Sequence, residues 1–83
     1  MARYLIVNAD VREIILGNWP QRFEPDELGD DVPLGEEGLG LDSVELVEVV
    51  LACEERCGRL ATEELFARPP LTISLLVDHF AAP

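Results

Sequence analysis

The run Gly40-Leu41-Asp42-Ser43 is the most chemically distinctive place in this chain. It lies where a glycine- and proline-rich stretch meets a strongly periodic apolar one. Serine and aspartate at such a boundary are good helix N-caps, because a side-chain oxygen there accepts an orphan backbone N–H. The same boundary suits a phosphodiester on the Ser43 hydroxyl, since free amides and the positive end of the helix dipole face that position. On the residues alone, both readings of Ser43 stand. Other chemistries fail for want of parts. The chain has no lysine, which removes Schiff-base chemistry and Walker-type phosphate binding. Gly35, Gly38 and Gly40 follow no strand and so make no nucleotide loop. Its one histidine, His79, leaves no second imidazole for a metal triad. Cys53 and Cys57, at i and i+4, share a helix face and suit a disulfide poorly, and are expected as small core residues. The pair Glu36 and Glu37 reads as solvated surface in a chain with 17 acids. No catalytic set emerges, and the chain is expected not to be an enzyme.

Composition narrows the partners. Seventeen Asp and Glu against six basic residues give a formal charge of −11 over 83 residues. A nucleic-acid binder needs cations to replace phosphate counterions, and an anionic membrane surface needs them too. Disorder is not implied, because 48% of the residues are hydrophobic and can build a core. No stretch approaches the roughly 20 apolar residues of a membrane span, and no secretory signal pattern is found near Tyr4-Leu5-Ile6-Val7. A cytoplasmic, monomeric, single domain over 1–83 without membrane insertion is expected, too small to wall off a deep substrate pocket.

Four helical segments must position Ser43. Tyr4, Val7, Val11, Ile14 and Ile15 have helical spacing. That first helix starts between 3 and 9, with Asn8 or Asp10 as a possible cap, and stops at Gly17 and Asn18. Residues 18–41 form a long connection, pinned by Trp19, Phe23, Leu28, Val32, Leu34, Leu39 and Leu41, with a helical turn expected near Pro25 to Leu28. The clearest helix runs over 43–57, where Leu46, Val49, Val50, Cys53 and Cys57 form one stripe and Gly58 ends it. A short helix follows over Thr62 to Ala67, capped by Thr62 and closed by Pro69 and Pro70. Thr72 caps the last helix, with Ile73, Leu76, Val77 and Phe80 inward. The fold class is all-α.

Gly40-Leu41-Asp42-Ser43-Val44-Glu45-Leu46-Val47-Glu48 resembles the attachment motif of acyl carrier proteins, in which Asp-Ser-Leu opens the second helix. The likeness covers nearly the whole chain: length, negative charge, helix order and the long first loop. It implies a four-helix bundle of three longer helices and a short third, with a long loop between helices 1 and 2. It implies a 4′-phosphopantetheine arm esterified to Ser43, beside Asp42, whose thiol carries acyl groups as thioesters. Partners would be a phosphopantetheinyl transferase and acyl-transfer and ketosynthase-type enzymes of fatty-acid or polyketide biosynthesis. By position, Val44 and Leu51 match the family's exposed apolar contacts, and Glu45, Glu48, Glu54 and Glu55 its acidic ones. Residues 44, 48, 51 and 55 share one helix face, away from the cysteine stripe. The plainer reading of these glutamates is a solvated face that confers solubility alone.

Departures from the pattern point away from a housekeeping fatty-acid role. Val44 replaces the usual Leu or Met, Leu41 stands where many fatty-acid carriers have Ala, and Arg56 interrupts the acidic run. Glu64-Leu65-Phe66 and Pro69-Pro70-Leu71-Thr72-Ile73 look more like carriers of polyketide or nonribosomal-peptide systems. Two alternatives stay open. One is a peptidyl or aminoacyl carrier, against which stands the single Gly40 before Leu41. The other is a small acidic adaptor without a prosthetic group, in which Ser43 is a cap.

Overall fold

A computed structural model describes residues 5–67 and 70–81. Among these the chain is all-α, with no strand: α1 (Asn8–Asn18), a 3-10 turn at Pro25–Glu27, α2 (Ser43–Cys57), α3 (Glu63–Phe66) and α4 (Ile73–Ala81). Helix α1 packs on α2 and α4, and α3 on α4.

Helix α1 buries Val11, Ile14 and Ile15, as their spacing predicts. Its start corrects the expected cap. Val7 holds the N-cap position, and Asn8 and Asp10 are already helical. Asp10 Oδ2 accepts the Val7 N–H at 2.8 Å, so a third-position carboxylate satisfies the end from inside. Val7 has extended backbone and is exposed, whereas Ile6 is buried, because successive side chains of extended chain point opposite ways. Tyr4 lies outside the described residues. Asp10 also faces Arg56 at 3.4 Å, which ties α1 to the end of α2.

The connection from α1 to α2 is ordered by apolar anchors and backbone hydrogen bonds. Phe23, Leu28, Leu34 and Leu41 are buried in the common core, while Trp19 and Leu39 pack against it half-buried. The Leu34 N–H donates to Leu71 O at 2.8 Å, and Ser74 N–H donates to Asp30 O at 3.0 Å. The second bond satisfies an orphan amide in the first turn of α4. Gly38 is required by close approach: a Cβ there would lie 2.1 Å from Pro33 O.

Helix α2 turns Val49, Val50, Cys53 and Cys57 inward and ends at Gly58, whose φ of 72° is left-handed backbone that glycine adopts at no steric cost. Thr72 Oγ1 accepts Leu75 N–H at 3.1 Å and caps α4, as expected. Thr62 does not cap α3 with its side chain. Its backbone N–H instead donates to His79 Nε2 on α4 at 3.1 Å, and its hydroxyl lies 3.5 Å from the same nitrogen. Pro69 lies outside the described residues. No described helix is long and apolar enough to cross a membrane.

Candidate functional site: the first turn of α2

Gly40 and Asp42 shape the approach to Ser43. Gly40 has φ of 82°, in the left-handed region. Leu41 follows and is buried, which fixes the chain against the core immediately before the helix. Asp42 is the N-cap. Its Oδ1 accepts Glu45 N–H at 2.8 Å, and Glu45 Oε1 accepts Asp42 N–H at 3.0 Å. This reciprocal box satisfies two orphan donors at once. Ser43 is therefore the first helical residue and not the cap. It is exposed, and its hydroxyl has no hydrogen-bond partner among the described residues.

Arg22 reaches this turn from the loop. Its Nη1 lies 2.6 Å from Glu45 Oε2, and its Nη2 donates to Gly40 O at 3.1 Å. The guanidinium carbon sits 5.1 Å from the centre of the Phe23 ring. Sequence reasoning missed this residue. The one available cue is that Arg22 is the single basic residue between Arg12 and Arg56.

The outer face of α2 carries Val44, Val47 and Leu51, at 66%, 45% and 51% exposure, beside exposed Glu48 and Glu55. Val44, Glu48, Leu51 and Glu55 thus lie together as their spacing requires. Val47 belongs with them and was overlooked, although it is three residues from Val44 and four from Leu51. Glu45 and Glu54 differ from the other two acids. Both are half-buried and have internal partners: Glu45 as above, and Glu54 through Oε2, which accepts Ala61 N–H at 2.7 Å. Two of the four glutamates are held in the fold, and two project freely.

A groove of about 330 Å³ opens one helical turn beyond Ser43, walled by Pro33, Gly35, Leu46, Phe66 and Leu71, with Glu36 and Glu37 also in its lining. The thiols are remote from this chemistry. Cys53 and Cys57 are buried and unbridged, and burial pushes the Cys53 thiol up to about 12. Hydrogen bonding from Asn8, then from Arg12, lowers the Asp30 carboxyl on the loop.

Ser43 presents an exposed hydroxyl that the fold does not use, while Asp42 does the capping. No protein-family model matches this chain, and no curated protein matches it.

Proposed function

We propose that this chain is an acyl carrier, a four-helix bundle that presents Ser43 at its surface in the first turn of α2. In this reading Ser43 bears a 4′-phosphopantetheine arm and presents acyl thioesters to biosynthetic enzymes of fatty-acid or polyketide type. The observation that carries the reading is the division of labour at α2: Asp42 caps the helix and the Ser43 hydroxyl is left exposed and unused.

When bound, the arm supplies a thiol that holds cargo as a reactive thioester. The chain's own residues do the rest. Ser43 Oγ would hold the arm through a phosphodiester, losing its proton as that P–O bond forms and the P–O bond to the donor's leaving group breaks. Gly40, Leu41 and the Asp42–Glu45 box hold the attachment point in one orientation. Val44, Val47 and Leu51, rimmed by Glu48 and Glu55, offer an apolar strip with negative edges to a partner whose docking surface is basic. The groove beside Leu46, one turn along α2 from Ser43, has apolar walls for part of a cargo.

The test is intact mass after co-expression with a phosphopantetheinyl transferase. A gain of one arm is expected for the wild-type chain and none for Ser43→Ala. Absence of the gain, or its survival in Ser43→Ala, would falsify the carrier reading.

A further inference from the structure

We propose that Arg22 receives the phosphodiester oxygens of the arm on Ser43, an inference that rests on the carrier reading. The guanidinium is anchored on both sides of the attachment residue, to Gly40 O before it and to Glu45 Oε2 after it. An arginine has five N–H donors, and these two bonds leave three. Its side chain is 37% exposed, so the guanidinium lies at the surface.

Charge supplies the reason. A phosphodiester on Ser43 adds a negative charge beside Asp42, Glu45 and Glu48 in a chain already at −11. Arg22 is the described cation bonded to this turn. Arg12 pairs with Asp30, Arg56 with Asp10 and Glu13, and Arg59 donates to Phe80 O. Guanidinium and phosphate also match in shape, since the planar fork offers parallel N–H bonds to two oxygens. The guanidinium is held beside Ser43 by Glu45 Oε2 and Gly40 O, and its remaining N–H groups are the ones that take the phosphodiester oxygens. Arg22 is then a binding residue for the arm, and the loop that carries it is part of the site.

Nuclear magnetic resonance of the full chain with and without its arm reads this directly. The Arg22 side-chain N–H signals are expected to shift when the arm is attached. The arm's phosphorus resonance is expected to move in Arg22→Gln, and Arg22→Lys should restore part of the wild-type position, because a lysine keeps the charge without the fork. Unchanged Arg22 signals, or a phosphorus resonance identical in all three proteins, overturns the inference and leaves the carrier reading standing. A chain that takes no arm by mass overturns both. If Arg22→Gln does not fold, the wild-type signals with and without the arm decide alone.

Discussion

Asp42 and Ser43 are adjacent, polar and both competent to cap, yet their roles separate cleanly. Asp42 spends its side chain on Glu45 N–H, and Ser43 spends none of its own. Asp42→Ala is accordingly expected to destabilise the chain by about 1 kcal/mol, seen as a lower urea midpoint. Ser43→Ala should leave that midpoint nearly unchanged while abolishing arm attachment. Cys53 makes a pH prediction. Its thiol is neutral in the fold to about 12, whereas an unfolded thiol ionises from about 9. Between these values the unfolded chain binds fewer protons, so stability is fully present below pH 9 and declines as pH rises. The slope approaches about 1.4 kcal/mol per pH unit for one group. Urea unfolding from pH 8 to 10.5 should show this decline, and Cys53→Ala should remove its share.

At the scale of elements, α2 and the loop before it divide the acids between structure and surface. Glu48→Lys with Glu55→Lys is expected to slow arm attachment several-fold, with wild-type rates falling as salt screens the exposed charges. Rates that ignore both the double change and ionic strength would remove any steering role for this face. Glu45→Lys is a poorer test, because it breaks the capping box and repels Arg22. The loop has its own vulnerable point. Gly38→Ala drives a Cβ against the Pro33 carbonyl, which is backbone and cannot swing away. A loss of about 3 kcal/mol in unfolding free energy is expected, at the upper end of ordinary single substitutions.

Across the whole molecule, the net charge of −11 opposes compaction. The described ion pairs answer it locally: Arg12 with Asp30 joins α1 to the loop, Arg22 with Glu45 joins the loop to α2, and Arg56 with Asp10 joins α2 to α1. Arg12–Asp30 and Arg22–Glu45 are partly exposed pairs of small individual value, and Arg56 meets the buried Asp10 carboxylate only at 3.4 Å. Repulsion among the unpaired acids should therefore outweigh them, and added sodium chloride should raise the thermal midpoint. A midpoint that falls with salt would show that the pairs dominate.

Much of the fold was legible without coordinates because helices are local. The stripe from Leu46 to Cys57 set the inner face of α2, Gly58 its end, Thr72 the cap of α4, and Pro25 the short turn in the loop. Backbone bonds four residues apart and a 3.6-residue period carry that information within a short window. The attachment candidate was legible for the same reason, as a local run at a helix start. What only the tertiary structure decided depends on groups far apart in sequence. Arg22 meets residues 18 and 23 positions away, and Thr62 meets His79 from 17 away. Whether Glu45 projects or pairs with Arg22 follows from the path of the loop. That path is set by where Phe23, Leu28, Leu34 and Leu41 enter the core, and no periodic signal encodes it.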